Sequence, residues 1–268
     1  MFSKQGKMKK LAFVILGVIL VAGMTSSTAV KYPKAEVKTF KQGEFLRYKV
    51  SYGFVDAGEA VLTVNKSDKV GANNRPLYHV KGIGRTLGAF NAFYKVRDRY
   101  ESYIDQEGVF PWYFVRRVRE GNYKKDQDYT FMQDKQKVNT GKKEFKVPIG
   151  VQDMISSFYY ARTLDFENMQ PGDKTMFKVF MDDEIEPLEI KFVGIENVKI
   201  RKGTFECLKF VPVLQEGRYF EDEEDVQFWV TNDKNRIPVL VKAKIPVGNI
   251  KMHLVEWRGL VDDISIVD

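Results

Sequence analysis

Cysteine is almost absent from this 268-residue chain, in which Cys207 is the single example. One cysteine cannot form an internal disulfide, so the folded domain must be held together by its apolar core. A lipoprotein box is excluded as well, because Met24 stands where a cysteine would have to follow Val21-Ala22-Gly23. The sequence therefore predicts a protein that is neither disulfide-bonded nor lipidated.

Histidine is nearly as scarce, with His79 and His253 as the two examples. Each lies alone in a predicted strand without a second histidine, a cysteine or a carboxylate at ligand spacing, which argues against a zinc site. Ser156 and Ser157 lack the glycine frame of a nucleophile elbow, so we expect packed helical hydroxyls there. We expect no metal, no cofactor and no catalytic residue of these types.

Positive charge is concentrated at the amino terminus. The net charge of the chain is +7, but residues 1–29 hold four lysines and no acid, so their removal would lower it by four, to +3. Binding of nucleic acid requires lysine and arginine clustered on the folded surface. The charge balance therefore argues against a nucleic-acid partner.

Residues 1–29 follow the pattern of a secretory signal peptide. A basic segment precedes an uncharged run from Leu11 to Met24, and Ser27 and Ala29 provide the small residues of a cleavage site. The run is short against the roughly 20 apolar residues that span a bilayer. We predict cleavage after Ala29, a periplasmic location and no transmembrane span afterwards, with a polar lead-in at 30–42, one β-rich domain at 43–257 and a tail at 258–268.

Alternation of apolar and polar residues dominates the domain, as in 45–55 and 94–104, and is typical of half-buried strands. Asp56-Ala57-Gly58 is a predicted turn, and 188–193 and 197–200 are predicted as separate strands. Short turns between consecutive strands indicate an antiparallel meander. Gly82, Gly84 and Gly88 predict bends or a bulge, because a phosphate-binding loop would have to lead into a helix.

The segment Gly150–Leu164 is the clearest helical pattern, with a predicted helix from Asp153 to Thr163. Asp153 can cap its amino end, and Met154 and Phe158 lie on one face at helical spacing. We therefore predict a mainly β fold, a curved antiparallel sheet or partly open β-barrel of roughly ten to fourteen strands, with one central helix packed against it.

Aromatic residues make up 13% of the chain and gather around this helix and the strands before it. They either line an apolar ligand cavity or fill a large core. If they line a cavity, the predicted ligand-binding residues are Leu87, Phe90, Phe93, Phe114, Met154, Phe158 and Tyr159.

Clusters of charge are the remaining candidates. Two acidic runs, 182–186 and 221–225, lack the spaced frame of a calcium loop and are expected to be solvated. A basic group either faces anionic lipid or forms an ordinary exposed face. It comprises Arg116, Arg117, Arg119, Lys124, Lys125, Lys142 and Lys143.

A set of short motifs then resembles a known family. The motifs are Gln152-Asp153 with Ser156, Phe158-Tyr159 and Arg162, then Gly172-Asp173, Gly203-Thr204-Phe205 with Cys207 and Phe210, and Trp229-Val230-Thr231 with Asp233, Arg236, Pro238 and Val239. Their order resembles a bacterial envelope family catalogued as domain of unknown function 3108. The resemblance covers about 43–257 and implies an exported protein of Gram-negative bacteria, but it brings no functional residues. By analogy of fold alone, the expected sheet and helix are similar to periplasmic lipoprotein carriers, which hold acyl chains.

These observations favour a non-enzymatic periplasmic protein that binds a lipidic ligand or an outer-membrane biogenesis partner. One alternative is an envelope hydrolase acting on glycan or lipid, with Asp98 and Asp153 as candidate acid and base. Another is a structural scaffold, which predicts a filled core without a pocket. The oligomeric state does not follow from the sequence.

Overall fold

Fourteen antiparallel strands form one continuous sheet in the computed structural model, which describes residues 30–213, 225–244 and 248–267. The predicted signal peptide and most of the second acidic run lie outside these residues. The strands are β1 (Phe45–Tyr52), β2 (Val55–Lys66), β3 (Leu77–Thr86), β4 (Arg97–Asp105), β5 (Pro111–Glu120), β6 (Tyr123–Met132), β7 (Lys137–Asn139), β8 (Glu144–Lys146), β9 (Lys174–Met181), β10 (Glu184–Ile200), β11 (Gly203–Pro212), β12 (Val226–Thr231), β13 (Pro238–Lys244) and β14 (Asn249–Arg258). Two α-helices are described, α1 (Phe90–Phe93) and α2 (Met154–Arg162), with 3-10 turns at Ala72–Asn74 and Gln133–Lys135.

The strand order is a meander interrupted at one place. From one edge to the other it runs β8 to β1 and then β14 to β9, so every neighbouring pair is consecutive in sequence except β1 and β14. The two edge strands, β8 and β9, are themselves consecutive along the chain. The segment that joins them contains α2, the longer of the two described helices, so α2 lies in the connection between the two edges of the sheet.

The sheet curls until its two edges approach each other, and we call the meeting line the seam. Gln152 bridges to β9, donating from its backbone N–H to Lys178 O at 2.9 Å and accepting from Phe180 N at 2.8 Å. The Phe180 ring lies 5.4 Å from Phe145 of β8 and 6.3 Å from Phe131 of β6 between ring centroids. Side-chain packing and the isolated bridge of Gln152, rather than a ladder between β8 and β9, close the seam. The prediction of a partly open barrel with one central helix is confirmed.

The helix α2 begins with a capping box. The Asp153 Oδ1 atom accepts from Ile155 N at 2.8 Å and Ser156 N at 2.7 Å, and the Ser156 hydroxyl accepts from Asp153 N at 2.8 Å. These bonds satisfy donors that no earlier helical turn can pair. The predicted helix was one residue too long at each end, since both Asp153 and Thr163 are capping residues.

The lead-in contributes to the core despite its polar composition. Phe40 is 1% exposed and packs edge-on against Tyr159 of α2, with ring centroids 4.8 Å apart. Earlier in the same segment, Ala35 N donates to Glu107 O at 2.9 Å. The lead-in therefore packs on both α2 and the sheet, since Phe40 shares one core cluster with Tyr159, Val64 and Val80.

Three local predictions were wrong. The first turn lies at Gly53 and Phe54 rather than at Asp56-Ala57-Gly58, so β2 begins earlier than expected. Strand β10 is continuous, because the break expected near Gly194 is a bulge that shifts the pairing with β11. Gly82 and Gly84 lie in the regular ladders of β3 without the predicted bend or bulge, whereas Gly88 does lie in a turn, just before the single helical turn α1. Within the described part of the chain, no helix is long and apolar enough to cross a membrane.

Candidate functional site: an apolar cavity between helix and sheet

A cavity of about 290 Å³ lies between α2 and the strands β9 to β14. Its lining residues are Ser157, Phe158, Ala161, Arg162, Phe166, Phe177, Leu188, Ile190, Phe210, Phe228, Val230, Arg236, Pro238, Val241 and Met252. All but Ser157 and the two arginines are apolar. The Ser157 hydroxyl donates to Met154 O at 2.9 Å, so it is already partnered within the helix.

Strand and helix periodicity together build this lining. Leu188 and Ile190 are two residues apart on β10, and Phe228 and Val230 are two apart on β12, so each pair points to the same face of the sheet. Across from them the helix presents Ala161. Since its methyl group is the smallest side chain with a Cβ, the space beneath this part of the helix stays open.

Arg162 lines the cavity with its aliphatic stem, because its guanidinium is committed elsewhere. Its two terminal nitrogens donate to the two carboxylate oxygens of Glu44, each at 2.7 Å. Further bonds reach Thr39 O at 2.8 Å and Asn235 O at 2.9 Å. Burial opposes the charge, but the Glu44 carboxylate outweighs it and the pKa of Arg162 is raised.

Arg236 is the other cation of the lining and is only partly committed. It donates through Nη1 to Leu164 O, and its guanidinium carbon lies 5.1 Å from the centroid of the Phe166 ring. No carboxylate in the described ranges pairs with it. The cavity therefore combines an apolar lining with one cation, Arg236, whose guanidinium still has N–H donors available for a ligand.

The two carboxylates considered for hydrolysis do not line the cavity. Asp153 is fully buried, and its second oxygen accepts from the Ser102 hydroxyl at 2.6 Å in addition to the capping bonds. Asp98 accepts from Arg119 N at 2.9 Å. Burial and the neighbouring Asp98 raise the pKa of Glu120. None of these groups faces the apolar space.

Asp153 has a consequence for stability that depends on pH. Burial raises its pKa from 3.8 to about 6, so ionisation is less favourable in the folded chain than in the unfolded chain. The free energy of unfolding should therefore fall as pH rises from about 4 to about 6, by roughly 2–3 kcal/mol. Asp153→Asn retains a capping oxygen but cannot ionise. Denaturant titrations across this pH range should therefore show no such decrease in the free energy of unfolding of the variant.

Asp153→Ala is the matched control, because it removes both the charge and the cap. It should be less stable than Asp153→Asn at every pH, by about 1–2 kcal/mol. If the free energies of unfolding of wild type and Asp153→Asn differed by the same amount at low and at neutral pH, the buried carboxylate would not be the cause of the decrease with pH.

The seven predicted ligand-binding residues are spread over four places. Phe158 lines the cavity. Phe114 and Met154 pack together in the core near the seam, and Tyr159 is fully buried against Phe40. The other three, Leu87, Phe90 and Phe93, belong to the loop between β3 and β4 and do not line this cavity.

The lining that sequence reasoning missed comes from the second half of the chain. Phe177, Phe210 and Phe228 lie on β9, β11 and β12, far in sequence from one another. The alternation of Phe228 and Val230 was a usable signal for an inward face. What it could not show is that this face leaves a space under the helix.

Most of the predicted basic group is neutralised by neighbouring strands. Arg117 pairs with Asp128 at 2.8 Å and Arg119 with Asp126 at 2.7 Å, both across the β5 and β6 ladder. Asp182 of the first acidic run forms an ion pair with Arg116 at 3.2 Å. These contacts favour the interpretation as an ordinary charged face.

One polar cluster on another strand pair was not anticipated. The Nε2 atom of His79 lies 2.7 Å from a Glu101 oxygen, and its ring stacks on Tyr103 at 4.4 Å between centroids. The carboxylate comes from the adjacent strand β4 and not from nearby sequence. No group of three or more metal-ligating side chains occurs within the described residues.

Comparison with known proteins places the chain in a family. The family model described as protein of unknown function (DUF3108) matches residues 47–255. The chain belongs to the DUF3108 family. A comparison with curated proteins found no match.

Among solved structures, this DUF3108 chain is similar to a β-barrel-like protein of domain of unknown function DUF1849 from Brucella abortus, at 11% identity and a TM-score of 0.54, over 84% of this chain and 100% of that one. It also matches a hypothetical protein from Chlamydia trachomatis at 11% identity and a TM-score of 0.38, over 87% and 95% of the two chains. A Bacteroides fragilis protein described as exported, with a YmcC-like fold, matches at 11% identity and a TM-score of 0.34, over 84% and 99%. At such identities the Brucella likeness shows the fold alone.

Proposed function

We propose that this DUF3108 protein is a non-enzymatic envelope protein that binds one single-chain amphiphile with an anionic head group. The observation that carries the proposal is the apolar cavity with Arg236 as its partly committed cation. An acyl chain would replace empty apolar space, and a carboxylate or phosphate would accept from the remaining guanidinium donors. The export pattern of residues 1–29 supports a site of action in the periplasm.

The size of the cavity limits the ligand. Pockets for small molecules enclose roughly 300–1,000 Å³, and this one, at about 290 Å³, lies at the lower limit. One acyl chain suits such a space better than the two chains of a phospholipid. The cavity also supports a binding protein over a scaffold with a filled core.

The geometry favours binding over hydrolysis. A hydrolase would need an acid and a base that face the bound substrate within hydrogen-bond reach. Here Asp153 caps α2 and Asp98 holds a backbone amide, and neither lines the cavity. The alternative of an envelope hydrolase therefore has no support from this site.

Binding of cis-parinaric acid, a fluorescent fatty acid, tests the proposal. We expect saturable binding to the mature protein, and a loss of affinity of tenfold or more in Ala161→Trp, because the indole would occupy the space under the helix. Arg236→Gln should weaken the acid about fivefold while leaving an uncharged methyl ester unchanged. Native mass spectrometry of protein purified from the periplasm should detect an acyl-chain adduct.

Two controls accompany these variants. Ala161→Ser keeps the small side chain and should bind as wild type does, and Arg201→Gln removes an exposed arginine from the turn between β10 and β11, outside the cavity. Absence of saturable binding, or equal affinity of Ala161→Trp and wild type, would refute the cavity as a ligand site.

A further inference from the structure

Three loops meet at one end of the sheet and expose aromatic side chains there. They are the turn between β1 and β2, the loop with α1 between β3 and β4, and the turn between β5 and β6. Leu87 N donates to Ala57 O at 2.9 Å and Gly121 N donates to Lys95 O at 2.9 Å, which holds the three loops side by side. Their outermost aromatic residues, which we call the aromatic rim, are Phe54, Phe93, Tyr94 and Tyr123.

The exposure of the rim is far greater than aromatic residues usually show. Phe54 is 104% exposed and Phe93 is 88% exposed, while Tyr94 and Tyr123 are 51% and 52% exposed. A single exposed apolar residue needs no explanation, but several on neighbouring loops indicate an interaction surface. The nearby Phe90 ring, by contrast, packs 6.2 Å from Tyr52 and fixes the loop to the sheet.

The charge beside the rim indicates the kind of partner. Residues 86–97 include Lys95 and Arg97 but no acid. Arg97 donates to Asn91 Oδ1 at 2.7 Å and to backbone carbonyls, and no carboxylate in the described part of the chain pairs with Arg97 or Lys95. Arg117 and Arg119, on the neighbouring strand, are both paired with acids. Unpaired cations thus lie next to exposed aromatics.

We propose that the aromatic rim docks the protein on the surface of an anionic phospholipid bilayer. Tyrosine favours the interfacial region of a membrane, where its ring leaves water and its hydroxyl remains hydrated, and phenylalanine rings can insert among the acyl chains just below. Lysine and arginine next to them are attracted by anionic head groups, and the two contributions together give reversible binding at the surface. This surface is separate from the cavity, so the inference stands independently of the proposed ligand.

Vesicle binding tests the rim directly. We expect the protein to sediment with vesicles of phosphatidylcholine mixed with phosphatidylglycerol, and less with pure phosphatidylcholine or at high salt. Phe54→Ser with Phe93→Ser should reduce partitioning at least tenfold on anionic vesicles. Lys95→Gln with Arg97→Gln should abolish the preference for anionic vesicles, a loss of about tenfold.

Val70→Ser is the matched control, because Val70 is 53% exposed on the loop between β2 and β3, at the other end of those strands. It should partition as wild type does. All rim variants should keep wild-type affinity for cis-parinaric acid, so failure of this inference and failure of the cavity proposal are distinguishable.

Phe93→Trp reports insertion itself. Its indole emission should shift to shorter wavelength on anionic vesicles and be quenched by brominated lipid. Equal partitioning of Phe54→Ser with Phe93→Ser and wild type, or an indole that stays in water, would overturn the proposal. A change of oligomeric mass in the rim variants without any vesicle binding would overturn it in favour of contact between two copies of the chain.

Discussion

Glu44→Ala is expected to lower the free energy of unfolding by about 3–5 kcal/mol, because it leaves the Arg162 guanidinium buried without its counter-charge. Glu44 and Arg162 are 1% and 3% exposed, and two bonds of 2.7 Å join them. The same guanidinium bonds to Thr39 O and Asn235 O, so the pair connects the lead-in, the start of β1, the end of α2 and the turn before β13. Its loss should loosen all four segments together.

Urea denaturation of the single and double variants separates the buried charge from the rest of the effect. Glu44→Leu with Arg162→Met removes both charges and should recover much of the stability lost in Glu44→Ala, because no unpaired ion remains. Recovery should be incomplete, since Thr39 O and Asn235 O lose their donor. A cost below about 1 kcal/mol for Glu44→Ala would contradict this account of the pair.

Phe180→Ala should also lower the free energy of unfolding by about 3–5 kcal/mol, because it removes the ring that fills the seam and leaves a cavity there. Phe180 is 1% exposed, and the centroid of its ring lies 5.3 Å from that of Tyr129, in addition to its contacts with Phe131 and Phe145. No β8–β9 ladder joins the two edges, so side-chain packing at this ring is a main attachment between them. Hydrogen exchange should show that amides of β8 and β9 lose protection more than those of β2 and β3.

Phe93→Ala makes the same chemical change at a residue that is 88% exposed. Its free energy of unfolding should stay within about 0.5 kcal/mol of wild type. If Phe93→Ala and Phe180→Ala lost a comparable free energy of unfolding, the loss would follow from removing any phenyl ring and not from the position of Phe180 at the seam. If Phe180→Ala itself lowered the free energy of unfolding only slightly, the seam would be held mainly by other contacts, the backbone bonds of Gln152 and the ion pair of Asp182 with Arg116.

Local patterns in the sequence predicted much of the fold. The alternation in 45–55 marked β1, and Asp153 marked the start of the helix, because strand periodicity and helix capping depend on residues close in the chain. Arg162 was placed on the helix, but its partner Glu44 lies 118 residues away, and nothing local connects the two. The core position of Phe40 was missed for the same reason.

The candidate site was harder to predict, because a cavity is a property of packing. Phe158 and Phe93 are both aromatic and both near segments with regular patterns, yet one lines the cavity and the other faces solvent. The difference depends on where the loop between β3 and β4 lies, and the periodicity of β3 or β4 contains no information about that. The cations show the same limit, since Arg117 is paired through strand register, whereas Arg97 bonds to an amide and to carbonyls.

The meander with its single interruption has a consequence for how the chain acquires its structure. Every strand pairing is formed between neighbours in the chain except that of β1 with β14, in which Arg47 and Glu256 lie opposite each other. A chain that emerges amino end first can form the hairpins from β1 to β8 as it goes, but β1 keeps an open edge until the last strand arrives. Closing so long a loop is entropically slow, and an unpaired edge is prone to intermolecular pairing. Arrival of β14 therefore removes the open edge of β1 in the same step that joins the two halves of the sheet.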